Sequence, residues 1–167
     1  VYSLYGKNFK PTAEMLDGLD LLVYDIQDVG VRFYTYISTM ILSLQAAHEN
    51  GLEFMVLDRP NPIGGTVLEG PVLRDELRSF VGVYSIPLRY ALTPGELTLL
   101  YAKENGIEGV EVVKMEGWRR DMLFDDTGLP WIFPSPNMPS PTTALLYPGL
   151  GLFEGTNLSV GRGTAKP

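Results

Sequence analysis

Apolar and polar positions switch between two spacings along the chain. The switch is sharpest in residues 19–36, which read LDLLVYDIQDVGVRFYTY. The first half is a short run of branched and aromatic residues through Ile26, the pattern of a strand buried on both faces. From Phe33 the apolar positions move to helical spacing, with Tyr36, Ile37, Met40, Ile41 and Leu44 on one side. Strand, polar turn and amphipathic helix open a βαβ unit. The helix is predicted to end near Asn50, with Gly51 as its stop. Residues 52–57 (LEFMVL) form the second predicted strand, parallel to the first because a crossover helix joins them.

The remaining elements follow the same logic. Thr12 caps a short helix that stops at Gly18, and residues 1–5 (VYSLY) suit a short strand. Residues 74–80 suit a short helix. Thr93-Pro94-Gly95-Glu96 is a capping box with proline at the first helical position, and Gly106 closes that helix. Residues 110–115 (VEVVKM) give a third strand, and residues 142–147 a helical turn or two before Pro148. Two stretches are too rich in proline and glycine for regular structure: residues 60–71 (PNPIGGTVLEGP) and residues 129–141 (LPWIFPSPNMPSP). Of Trp131 and Phe133 in the second stretch, at least one should anchor the core and the other could stack on a sugar face. The predicted fold class is α/β: one mostly parallel sheet flanked by helices over residues 1–167.

Composition narrows the functions available. The chain has 167 residues, 45% hydrophobic and 20% charged, in the range of a folded domain with a proper core. Net charge of −7 argues against a polyanionic nucleic acid as partner. The absence of cysteine excludes a thiolate nucleophile and thiolate metal sites, and the single histidine, His48, excludes a His-rich one. No run approaches the roughly 20 apolar residues that span a bilayer. The glycines of residues 149–163 do not form G-x-G-x-x-G between a strand and a helix, so a dinucleotide cofactor is not expected.

Ligands of parallel α/β sheets sit beyond the carboxyl ends of the strands. Asp25, Gln27, Asp28 and Arg32 after the first strand, and Asp58, Arg59 and Asn61 after the second, are therefore placed at the mouth of a site. The same acids could instead cap the following helices. Glu69 is the one carboxylate of the first irregular loop. It stands either as an exposed turn residue or, between Leu68 and Gly70-Pro71, as an acid in apolar surroundings.

Several unusual segments occur together: YDIQDVGVRFYTY, LDRPNPIGG, LEGP, FVG, TPGEL, GW, PSPNMP and EGTNLSVGRGT. In this order and spacing the chain resembles the NamZ-type exo-β-N-acetylmuramidases, formerly a bacterial domain of unknown function. The resemblance implies a two-domain protein whose Rossmann-like first domain this chain mostly supplies. It implies an exported glycoside hydrolase of cell-wall turnover that removes N-acetylmuramic acid from the non-reducing end of muropeptides and other peptidoglycan-derived saccharides, without metal or cofactor. The family's Pro-Glu-His-Gly segment, with a candidate catalytic glutamate, is not in this sequence. Two departures stand out: Tyr90-Ala91-Leu92-Thr93 where His-Gly-Met-Thr is expected, and Ser159-Val160-Gly161-Arg162 where Ser-Glu-Gly-Arg is expected.

Glycoside hydrolysis needs an acid of raised pKa and a second carboxylate across the sugar. Glu69 and Asp25 are the catalytic candidates. Asp28, Tyr34, Asp58, Asn61, Asn137, Glu154 and Asn157 are candidates for sugar contacts. Arg32, Arg59 or Arg162 would read the lactyl carboxylate of muramic acid. A saccharide-binding domain without activity, and a nucleotide- or phosphate-binding domain, are the competing readings. Asp25 and Asp28 together could also hold a hard cation.

Overall fold

A computed structural model describes residues 1–164. Three parallel strands, β1 (Leu21–Tyr24), β2 (Glu53–Leu57) and β3 (Val110–Val113), lie side by side in chain order. Leu21 pairs with Glu53 and Phe54 with Val110, which sets the register. Helix α2 (Tyr36–Glu49) joins β1 to β2, and α3 (Pro94–Asn105) lies between β2 and β3. The short α1 (Ala13–Leu16) precedes the sheet, and α4 (Pro141–Leu150) follows it. The capping signals hold: Thr12 Oγ1 accepts from the Met15 amide, and Thr93 and Glu96 form a full capping box.

Consecutive strands joined by right-handed crossovers running in one direction place both helices on the same face. Leu22, Tyr24, Phe54, Val56, Val110 and Val112 form that face, against Ile37, Met40, Ile41 and Leu44 of α2 and Leu97 and Tyr101 of α3. The first strand is thus not buried on both faces: Leu21 is 36% and Val23 47% exposed on the opposite side. A second cluster lies among the irregular segments: Val29, Val31, Ile63, Leu88, Met138 and Ala144, with Trp131, Phe33, Tyr34 and Tyr147 against it. Trp131 anchors it, donating Nε1–H to the Met138 carbonyl at 3.0 Å, whereas Phe133 stays 59% exposed.

Three boundary expectations are corrected. Residues 1–5 form no strand; Tyr5 and Phe9 instead pack their rings on Phe80. The predicted helix at 74–80 contracts to one 3₁₀ turn, Asp75–Leu77. Helix α4 begins at Pro141, capped by Ser140, and runs through Pro148, whose missing N–H falls in the last turn.

Ala91 is a non-glycine residue with positive φ, +55°. An L side chain in that region costs about 1 kcal/mol. Ala91→Gly is expected to raise stability by roughly 0.5–1 kcal/mol, measured by urea unfolding of the full-length protein.

Candidate functional site

The sequence-predicted residues separate into two hollows and a set of internal ties. The smaller hollow, about 590 Å³, lies beyond the carboxyl ends of the strands. Asp25, Asp58 and Arg59 border it, with Met115, Trp118 and Leu129 as walls. Asp25 Oδ1 accepts from Arg59 Nε at 2.8 Å and forms an ion pair with Nη2 at 2.5 Å. Asp58 faces the start of α3 instead. Its Oδ1 accepts from the Gly95 amide at 2.8 Å and its own neighbour's amide, Arg59 N–H, at 3.0 Å, and its Oδ2 from the Thr93 hydroxyl at 2.8 Å. Burial pushes the Asp58 carboxyl above its usual range, and the Gly95 and Thr93 donors pull it back. A Cβ on Gly95 would come 2.8 Å from Asp58 Cγ, so glycine is what lets this carboxylate reach the helix end.

Asp28 is not at a mouth at all. It is 2% exposed, its Oδ2 accepts from the Gly30 amide at 2.7 Å and from the Tyr90 hydroxyl, and its Oδ1 has no partner. Burial raises its pKa to about 6, against the opposing pull of Tyr90 and two backbone amides. Because this carboxylate is turned inward and Asp25 is held by Arg59, the two acids do not converge on a cation. Among the described residues no three His, Asp or Glu side chains gather into a metal site.

Three more candidates are engaged by the chain. Arg32 Nη1 donates to the carbonyls of Pro71 at 2.8 Å and Ile86 at 2.6 Å. Asn61 is 2% exposed; Nδ2 donates to the Leu92 carbonyl at 2.9 Å and Oδ1 accepts from the Ile63 amide at 3.2 Å. Glu69 does not have the apolar surroundings expected of it. Its side chain is 61% exposed and pairs with Arg89 at 2.9 Å, across a two-residue antiparallel bridge. It borders neither hollow.

The larger hollow, about 840 Å³, collects Tyr34, Asn137, Glu154 and Arg162. Helix α2's first turn brings Tyr36, the proline-rich wall brings Ser135 and Asn137, and the 3₁₀ turn Gly151–Gly155 brings Glu154. Tyr36 donates its hydroxyl to the Pro134 carbonyl at 2.5 Å, which ties the wall to the helix. Tyr34 packs edge-on to Tyr36 and Tyr147, at 4.7 and 6.1 Å between ring centres. A Cβ on Gly151 would lie 2.6 Å from the Phe33 ring, so this glycine makes room for the aromatic floor. Glu154 and Arg162 form an ion pair. Asn157 is exposed and outside the hollow. Tyr147 is a lining residue that the helical spacing of 142–147 did not single out, and nothing in the spacing marks Arg89 or Tyr90 as the partners of Glu69 and Asp28.

Residues 1–142 match the family model described as exo-β-N-acetylmuramidase NamZ, N-terminal. The chain belongs to this family. Residues 145–167 match the companion model, NamZ, C-terminal, so the NamZ boundary falls inside α4. The peptidoglycan β-N-acetylmuramidase NamZ of Bacillus subtilis (strain 168) is 60% identical over 168 residues, covering all of this chain and 41% of the Bacillus protein. A crystal structure of a DUF1343 family protein from Bacteroides fragilis NCTC 9343 superposes with a TM-score of 0.95 at 50% identity, over 99% of this chain and 44% of that one. A second DUF1343 protein of the same strain gives 0.84 at 36% identity, over 94% and 44%. The NamZ resemblance and the α/β class drawn from the sequence both hold, and the chain spans less than half the length of these relatives.

Proposed function

We propose that this protein is an exo-acting β-N-acetylmuramidase that releases terminal N-acetylmuramic acid from peptidoglycan fragments, and that the larger hollow holds the sugar. One observation carries the placement: Tyr34, Asn137, Glu154 and Arg162, distant in sequence, meet in a single hollow with an aromatic floor. Aromatic faces suit the apolar face of a sugar ring, and amide and charged groups suit its acetamido and carboxylate substituents. Membership of the NamZ family supports the reaction class. A substrate in the cell wall makes export the expected fate.

A second reading, binding without cleavage, draws on the carboxylates. Among the described residues Glu154 is the one carboxylate lining the larger hollow, and it is paired with Arg162. Hydrolysis needs two carboxyl groups flanking the bond. In the hydrolase reading the remaining group comes from outside residues 1–164. Incubating the full-length protein with a chromogenic β-N-acetylmuramic acid glycoside decides between the two. Release of the chromophore is expected, with the anomer followed by NMR; saturable binding of the glycoside with no release selects the binding module.

A further inference from the structure

We propose that Arg162 is the residue that distinguishes muramic acid from glucosamine, by receiving the lactyl carboxylate at the larger hollow. The inference rests on the muramidase reading above. The two sugars differ by a lactyl ether, which adds one carboxylate. A planar guanidinium, with its fork of donors, is the side chain best matched to it.

Three arginines compete for this role, and the fold separates them. Arg32 has Nη1 committed to two backbone carbonyls. Arg59 stands at the smaller hollow, held by Asp25. Among the described residues Arg162 is the one cation lining the larger hollow, and its side chain stays 55% exposed after Glu154 has taken Nη2.

The backbone around Arg162 is built to hold it still. Gly161 and Gly163 both have φ of +78°, a conformation that favours glycine, so the turn presents the arginine between two residues without side chains. The Gly161 amide donates to Ser159 Oγ at 3.1 Å, and the Gly163 amide to Asn137 Oδ1 at 3.0 Å. Asn137 Oδ1 therefore fixes the arginine turn to the proline-rich wall. Glu154 keeps the guanidinium oriented when the hollow is empty. Phe33, Leu146 and Tyr147 line the same space and offer apolar surface to the sugar beside the guanidinium.

The test uses full-length wild type, Arg162→Met and Arg162→Lys, with paired chromogenic β-glycosides of N-acetylmuramic acid and N-acetylglucosamine. Calorimetry with the two free sugars runs alongside. Arg162→Met is expected to raise KM for the muramic glycoside and Kd for muramic acid by roughly 10- to 100-fold, while leaving the glucosamine values essentially unchanged. Arg162→Lys, which keeps the charge and loses the fork, should fall between. Equal losses on both sugars, unchanged values for muramic acid, or a wild type that prefers neither sugar would each overturn the inference. Wild-type preference for muramic acid without turnover, abolished in Arg162→Met, would leave it standing and end the hydrolase reading instead.

Discussion

Gly30→Ala is expected to destabilise the full-length protein by roughly 3 kcal/mol or more, read as a fall in the urea midpoint. Two effects combine there. Gly30 has φ of +79°, where an L side chain costs about 1–2 kcal/mol. An added Cβ would also lie 2.3 Å from Asn61 Oδ1 and 2.8 Å from Ile63 Cγ1, both fully buried atoms with nowhere to go. Asn61 in turn holds Leu92 and Ile63, and Gly30 donates its amide to Asp28, so relieving the clash loosens three segments together. Gly18→Ala is the control. Its φ is +76° but nothing stands within 4 Å of the new Cβ, so it should show the backbone term of about 1 kcal/mol alone. Similar losses at both sites would mean that the close approach to Asn61 does not matter.

This position also shows where a sequence stops being readable. The βαβ frame was legible because its signals are local: apolar spacing in β1 and α2, Thr93 and Glu96 three residues apart, glycines at the helix stops. The sharing of one sheet face by both helices followed from connection handedness rather than from the strands' own pattern, which is why burial on both faces was the wrong expectation for Leu21 and Val23. The site was legible only in part. Of the polar residues at strand ends, Asp25, Asp58 and Arg59 do border a hollow, the smaller one, since topology dictates that location. Asp28 lies only three residues past Asp25, yet it points into the core, and no local rule separates the two. What separates them is Tyr90, 62 residues further along, and the fold alone brings it there. Glu69 fails for the same reason: its neighbours in sequence are apolar, but its neighbour in space is Arg89. Proline density did predict a stiff wall, and Asn137 stands on it, but its partner amide at Gly163 is 26 residues away.

Asp28→Asn should remove a pH dependence that the wild type carries. Asp28 is a carboxyl whose folded pKa, about 6, exceeds its ordinary value of 3.8. A raised acid pKa means that the folded state favours the proton, so ionisation works against folding. Below about pH 4 both states hold the proton and no penalty exists. Between about pH 4 and pH 6 the unfolded chain ionises first, and stability falls. Above about pH 6 both are ionised, and the penalty is full and constant, about 3 kcal/mol for a shift of roughly two units. The titratable groups facing this carboxyl are tyrosines: Tyr90 bonded to it, with Tyr24 and Tyr34 within its field, while Arg59 acts on Tyr24. None supplies a cation against the carboxylate itself. Asparagine keeps an oxygen to accept from Gly30 and Tyr90 and never ionises. The stability difference between variant and wild type should therefore move in the variant's favour by about 2 kcal/mol from pH 4 to pH 7, measured by urea unfolding at each pH. Asp28→Leu separates charge from hydrogen bonding: it also cannot ionise, but it leaves the Tyr90 hydroxyl and the Gly30 amide buried without an acceptor, at a cost of roughly 1–3 kcal/mol each. It should be less stable than Asp28→Asn at every pH. A wild type and an asparagine variant that keep a constant difference across this range would show that Asp28 stays ionised in the fold, with Tyr90 and the backbone amides holding its charge.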